Sequence, residues 1–344
     1  MCLCPRTIKN PSKHISPASG KYYITVKCGK CAECRKEQEL EWQHRTYAVY
    51  KYNQLLGGYT LFHTLTYNRD SVPYFNGMMC FDPEHIRKFR EVLRDKIRHY
   101  TLPDGTKPFF DQYKDRFKLI ITSEYGGLTH RPHYHCLFTT RIVGLDPMLL
   151  HNLIKKSWPH GFIDSDGAVP NLIVNSQGVC AYVSKYMYKD DDFVHQLHIL
   201  QEQDRISVAH GEATEEDYQE RYSKQNMQKI YPFHRQSNGY GEEILKLNSY
   251  FDLFEKGKIS MPDKDRVSSD ITIPMYIQRK LFYALVDDPH FKDDDGNPRK
   301  RWIITNNGID FKMRHLDESI DKYAENIANK VANIPQQDDN RYYV

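Results

Sequence analysis

The chain has 344 residues, enough to bury a full core and to form one large or two ordinary domains. Charged residues make up 27%, yet the formal net charge is only +3; bulk charge announces no polyanionic partner, and a nucleic-acid site would have to be a local patch. No apolar run reaches membrane-spanning length, and the opening Met-Cys-Leu-Cys-Pro-Arg lacks the apolar region of an export signal. A reducing, cytoplasmic setting is expected, with no membrane partner and no disulfide framework.

In chain order, the cysteines come first. Cys2, Cys4, Cys28, Cys31 and Cys34 lie in the first 34 residues, and Cys28-Gly-Lys-Cys31-Ala-Glu-Cys34 is a doubled C-x-x-C. Such a knuckle lets thiolates converge on one tetrahedral ion, with a fourth thiolate from Cys2 or Cys4. Structural zinc is the favoured reading, although spacing alone also admits an iron–sulfur cluster or free thiols. Cys80, Cys136 and Cys180 stand alone and read as buried small hydrophobes. Residues 35–52 lack Gly and Pro and read as a helix, whose Arg35, Lys36 and Arg45 either meet phosphate or solvate an exposed face. Residues 1–52 thus form a Cys-rich, zinc-knuckle-like segment and helix.

Residues 53–192 have the pattern of a mixed core. Residues 59–67, rich in β-branched and aromatic side chains, predict a strand. Asp82 followed by Pro83 predicts a capped helix to about residue 100, carrying Arg87, Lys88, Arg90, Arg94, Lys96 and Arg98. Residues 119–123 and 133–138 flank Gly126-Gly127 and read as a hairpin. His133 and His135 share one face of their strand, ~7 Å apart, and Glu124 ends the strand opposite. Two imidazoles and a carboxylate can hold an ion while leaving positions open for a substrate. In a chain with 16 histidines the pair alone does not establish such a site. Asp146-Pro147 opens a helix through residue 158, 161–163 and 171–174 read as short strands, and 177–189 as a helix. The fold class is therefore α+β, an antiparallel sheet with flanking helices.

The last of these helices carries a second constellation. Tyr182 and Tyr186 are four apart and share a helical face, bordered by Lys185 and Lys189. A phenol is a weak nucleophile because its pKa is about 10; neighbouring ammonium groups and an ion polarising a phosphate would favour its attack. Two such phenols one turn apart suit two successive transesterifications. A plain amphipathic helix with half-buried tyrosines fits the same spacing.

Together, Glu124, His133-Tyr134-His135 and Tyr182-Val-Ser-Lys185-Tyr186-Met-Tyr-Lys189 resemble the HUH endonucleases that initiate rolling-circle replication. Phe62-His-Thr-Leu-Thr-Tyr67 resembles their first motif, F-x-T-L-T-Y. The order and the doubled tyrosine are most similar to the replication initiators of microviruses, the gokushovirus branch in particular, whose members similarly open with Met-Cys and carry a C-G-x-C-x-x-C-R run, here residues 28–35. The resemblance spans roughly residues 1–190, with weaker echoes at 232–241 and 273–276. It implies a ferredoxin-like nuclease core with His133, His135 and Glu124 on Mg²⁺ or Mn²⁺. It further implies attack by Tyr182 or Tyr186 on single-stranded origin DNA, a 5′-phosphotyrosine, and assistance from Lys185 and Lys189. Cys2, rather than Cys4, would complete the zinc set with Cys28, Cys31 and Cys34. The setting implied is the host bacterial cytoplasm.

Residues 193–344 are expected to form a mostly helical extension packing on the core. Polar helices are expected over 194–227, a strand leading into a helix over 271–287, a solvated turn at 293–297 and a disordered tail from about 318. The chain shows no Walker-type glycine loop, so unwinding would fall to host replication machinery, including its helicase. A competing reading is a non-catalytic, zinc-stabilised regulator that binds single-stranded DNA; another is a relaxase or transposase of the same chemistry.

Overall fold

The computed structural model describes residues 3–9, 23–29, 31–75, 77–163, 173–176, 178–187, 192–259, 271–292 and 296–315. The chain divides into two compact units, one of residues 38–247 and the other of 1–37 with 248–344. In the first unit, five strands form one antiparallel sheet: β1 (Tyr59–Tyr67), β2 (Phe117–Tyr125), β3 (Pro132–Thr140), β4 (Gly161–Ile163) and β5 (His234–Gln236), in the order β4-β1-β3-β2-β5. The edge strand β5 comes from beyond the 53–192 span expected for the core.

Alternation along the strands sorts the two faces. One face presents Leu61, Leu65 and Tyr67 of β1, Leu119 and Ile121 of β2, and Tyr134, Cys136 and Phe138 of β3, all within one buried cluster. Helix α2 (Pro83–Arg98) covers it with Ile86, Phe89, Leu93 and Ile97, a helical stripe at spacings of three and four. Helix α3 (Pro147–Lys155) adds Leu150, Leu153 and Ile154. Both helices begin as the sequence predicts: the Asp82 carboxylate accepts from the Glu84 N–H at 2.8 Å and that of Asp146 from the Leu149 N–H at 2.9 Å, with Pro in the first helical position each time. Cys80, Cys136 and Cys180 are buried as expected. At the far edge β4 lies so close to β1 that a Cβ on Gly161 would sit 2.2 Å from the Thr66 carbonyl oxygen, which only glycine permits.

The opposite face is covered by α1 (Ala32–Leu55) from residue 38 onward and by α4 (Gly178–Lys185), which packs on β3. Asn53 of α1 donates to the carbonyls of Tyr59 and Thr140, at 3.1 and 2.9 Å, and so ties the helix to the ends of β1 and β3. Arg45, expected to meet phosphate or to solvate an exposed face, does neither. It is buried, donates from Nε and Nη2 to the Tyr240 carbonyl at 3.2 and 2.7 Å, and lies 3.8 Å over the Trp42 ring.

His234 of β5 meets the edge of Trp42, with ring centroids 4.8 Å apart. Its imidazole is pushed down to about 4 by burial and by the guanidinium groups of Arg235 and Arg45. The unfolded chain then binds a proton between the ordinary pKa of 6.5 and about 4 that the folded chain refuses, so stability rises with pH across that window. Acidification from pH 6.5 to 4 is expected to remove on the order of 3 kcal/mol through this one group. Urea unfolding of wild type and His234→Gln across the window checks it: the variant should lose the extra acid sensitivity, and parallel pH profiles would refute the assignment.

In the second unit, strands Arg6–Lys9 and Tyr23–Val26 pair antiparallel. Its C-terminal part departs from the mostly helical expectation: helix Met275–Phe282 runs directly into strand Tyr283–Lys292, which pairs with Pro298–Ile304. Phe282 stacks on Phe311 of helix Asn306–His315 at 4.1 Å, and Gly308 allows this approach, since a Cβ there would meet the Phe282 carbonyl at 2.3 Å. The polar stretch after residue 192 is helical as read, in Asp192–Ala209, Glu215–Arg221 and Lys224–Ile230. Residues 293–295 of the expected turn and the tail from 318 lie outside the described residues.

Candidate metal centre and tyrosine pair

Register builds the first cluster. Glu124 of β2 stands directly opposite His133 of β3, and His135 stands between Thr122 of β2 and Thr64 of β1. Directly paired residues share a face, so Glu124, His133 and His135 project together from the face opposite the main core. The Glu124 Oε2 atom lies 3.2 Å from His133 Nε2 and 3.0 Å from His135 Nε2. Glu124 is 8% exposed and His135 4%.

The hydrogen bonds behind these atoms decide what the cluster wants. The Arg131 carbonyl, 3.2 Å from His133 Nδ1, can only accept, so Nδ1 carries the proton there. A neutral His133 then aims the Nε2 lone pair at the Glu124 carboxylate. His135 Nδ1 is 3.3 Å from the Thr64 hydroxyl, which serves it the same way when it accepts. Acceptors at this separation repel unless a cation lies between them. Two donors each ~2.1 Å from one ion and at right angles to each other sit ~3 Å apart. The donor set therefore fits a divalent cation, with two imidazoles and one carboxylate as ligands and Thr64 and the Arg131 carbonyl orienting the rings. One oxygen and two nitrogens suit Mn²⁺ better than Mg²⁺, which prefers oxygen alone.

The tyrosines come to the same place. The Tyr182 and Tyr186 rings lie 5.2 and 4.7 Å from the His135 ring and 4.8 Å from each other. Phe62 stacks on His135 at 5.8 Å and meets the edge of Tyr182 at 5.8 Å. Tyr182 is on α4 and 43% exposed, whereas Tyr186 follows the helix end in a turn and is half-buried. Burial first, then the hydrogen bond to Tyr182 and the Glu124 charge, raises the Tyr186 phenol well above its ordinary pKa. Lys185 is exposed in the last turn of α4. Lys189 and Cys2 lie outside the described residues.

Phe62, Thr64 and the Arg131 carbonyl are site groups that reading by residue type passes over. The signal lies in the F-x-T-L-T-Y run: in strand alternation its Phe62, Thr64 and Thr66 share the face of His133 and His135, while Leu65 and Tyr67 are in the core.

The second metal-type cluster is Cys28, Cys31 and Cys34, whose sulfurs lie within 4.8 Å of one another. The Cys31 N–H donates to Cys28 Sγ at 3.3 Å, and the Leu3 N–H to Cys31 Sγ at 3.4 Å. Burial opposes charge on Cys31, but the N–H groups of Cys34 and Leu3 and the Cys28 and Cys34 thiols outweigh it and bring the thiol down to about 6. A thiolate at neutral pH is the ligating form. Cys4 is exposed.

Residues 60–191 match the family model of the replication-associated protein ORF2. That span holds β1 through β4, the Glu124–His133–His135 cluster and both tyrosines. Over 156 residues the chain is 30% identical to the replication-associated protein ORF2 of Spiroplasma virus 4, an alignment covering 41% of this chain and 44% of the relative. The chain thus aligns with less than half the length of that curated relative. No solved structure matches the chain. Among the described residues no helix is long and apolar enough to cross a membrane.

Proposed function

We propose that this chain is a viral replication initiator that nicks and rejoins single-stranded DNA through a covalent tyrosine intermediate. The observation that carries the reading is the packing of Tyr182 and Tyr186 against His135, itself within 3.0 Å of Glu124. The likeness to replication-associated proteins supports a role in viral replication.

A bound divalent cation would polarise the scissile phosphate and offset its charge as the phenol attacks. Glu124, His133 and His135 would hold it. Tyr182, the exposed member of the pair, takes the role of first nucleophile. Its oxygen bonds to phosphorus as the bond from phosphorus to the 3′ oxygen breaks; the 5′ phosphate stays on tyrosine, and the departing 3′ oxygen takes up the proton that the phenol gives up. Tyr186 repeats the step on the regenerated site. The freed 3′-hydroxyl then attacks the first phosphotyrosine, restoring a phosphodiester and a phenol. Lys185, and Lys189 if it faces the same side, would balance phosphate charge. The test is incubation of the full chain and Mn²⁺ with labelled single-stranded phage origin DNA: a covalent adduct on Tyr182 or Tyr186, found by peptide mass spectrometry, supports the reading, and an adduct on neither overturns the site.

Structural zinc on Cys28, Cys31 and Cys34, completed by Cys2 or Cys4, belongs to the same reading. The protein as purified is expected to carry about one zinc per chain, and Cys31→Ser to lose it. Metal analysis decides the matter; iron in its place would turn the assignment to a cluster.

A further inference from the structure

The nicking reading leaves unused a groove of about 610 Å³ between α2 and the start of β2, lined among others by Arg90, Arg94, Arg98, Phe110, Lys114 and Lys118. Its charge arises simply. Arg87, Arg90, Arg94 and Arg98 recur at helical spacings of three and four, beside the stripe of Ile86, Phe89, Leu93 and Ile97 that fills the core. Burying that stripe turns the arginine row toward Lys114 and Lys118.

Acidic residues neutralise this row only in part. Arg87 is paired with Glu84 and Glu91, and Arg94 with Asp95. Lys118 donates to the Asn238 carbonyl at 2.9 Å and lies 4.0 Å from Glu243. Among the described residues Arg90, Arg98 and Lys114 have no ion-pair partner. Arg90 donates to the Gln236 carbonyl at 3.2 Å, yet its Nε is buried without a hydrogen-bond partner, and Arg235 and Arg94 crowd it with like charge. Arg98 lies 4.3 Å over the ring of Phe110, an exposed aromatic.

We propose that this groove is a second contact for single-stranded DNA, binding its phosphates on the arginine row and an unpaired base at the Arg98–Phe110 pair. Cations spaced along a groove track a phosphate backbone, and an aromatic with a stacked guanidinium accepts a base without regard to sequence. The groove is separate from the Glu124 cluster. Lys118 and Glu124 lie six residues apart on β2, which is ~20 Å along the strand. A strand engaged at both places would be anchored away from the cut, so binding there would add affinity without chemistry.

The probe is a fluorescein-labelled oligothymidylate of about 30 nucleotides, measured by anisotropy against the full chain over a range of salt. The triple variant Arg94→Glu/Arg98→Glu/Lys114→Glu, at exposed or half-exposed positions, is expected to bind at least tenfold more weakly at low salt. Each lost phosphate contact lowers the slope of log K against log salt by ~0.7, so three should lower it by ~2. The milder Arg94→Gln/Arg98→Gln/Lys114→Gln should give an intermediate loss and guards against misfolding of the reversal variant. Phe110→Ala should weaken binding with the salt slope unchanged. Wild-type affinity and slope in both triple variants would overturn the proposal. So would a loss confined to duplex DNA of equal length. Because the readout is binding, it is independent of cleavage: Tyr182→Phe/Tyr186→Phe should bind the probe as wild type does, even if the chain proves to be no nuclease.

Discussion

Replacing Tyr182 with phenylalanine is expected to abolish the covalent adduct with single-stranded origin DNA. The substitution removes one oxygen and leaves the ring that packs on Phe62, His135 and Tyr186, so the fold and the cation site should survive. Loss of an enzymatic nucleophile costs on the order of 10⁵–10⁶ in rate, which puts residual cleavage below detection. Tyr186→Phe should behave differently. Its phenol is half-buried, and burial, Tyr182 and Glu124 all hold its proton on; the variant should still form the first adduct and fail in the second transfer, accumulating nicked, protein-linked strand. The two single variants therefore separate the steps by product and not merely by rate. Equal and complete loss in both would mean the phenols act as one unit, and full activity in Tyr182→Phe would remove it from the mechanism.

His135→Ala carries the next largest expectation. His135 touches more of the site than any other side chain: Glu124 at 3.0 Å, the Thr64 hydroxyl at 3.3 Å, and the rings of Phe62, Tyr182 and Tyr186. Its loss takes a ligand from the cation and the platform from both phenols. Several kcal/mol of charge stabilisation is at stake, equivalent to ~10³ or more in cleavage rate. The more informative companion is Glu124→Gln. That change keeps the shape and removes the charge that the two Nε2 atoms face, so Mn²⁺ affinity, read by titration calorimetry, should fall ~10-fold to 100-fold. Removal of Mn²⁺ by chelation should silence wild type and leave the variants unchanged. A Glu124→Gln protein that binds and cleaves as wild type would take the carboxylate out of the ligand set.

These expectations rest on elements that are unequally legible in the chain. β1 is readable to its ends because nine residues alternate between threonines or aromatics and buried Leu61, Leu65 and Tyr67. The starts of α2 and α3 are readable because Asp-Pro states the cap and the first turn together. Glu124 and His133 can be placed near one another from a hairpin with a Gly-Gly turn; that they pair directly follows from the register. β5 is not legible, being three polar or charged residues whose strand character comes from Ile120, Ile121 and Thr122 alongside. The helix expected to run to 189 stops at Lys185, so Tyr186 reaches His135 from a turn and not from a helical face. The hairpin after Phe282 reads as helix as far as Leu285 because its first residues continue an apolar helical pattern; cross-strand pairing decides otherwise. Arg45 shows the reverse error, a charge that reads as surface and that the fold spends on a backbone carbonyl.

The segment joining β2 to β3 bears on how such proteins can diverge or be re-engineered. Its base is closed by the Gly126 N–H on the Arg131 carbonyl at 3.0 Å and by the Arg131 guanidinium on the Tyr67 carbonyl at 2.6 Å, while Leu128 at its tip is 98% exposed. Everything that sets the spacing of Glu124 and His133 lies below that closure. Foreign sequence grafted between residues 127 and 129 would therefore ride beside the chemistry without retuning it, and a peptide chosen to bind a particular hairpin or lesion could redirect where the chain cuts.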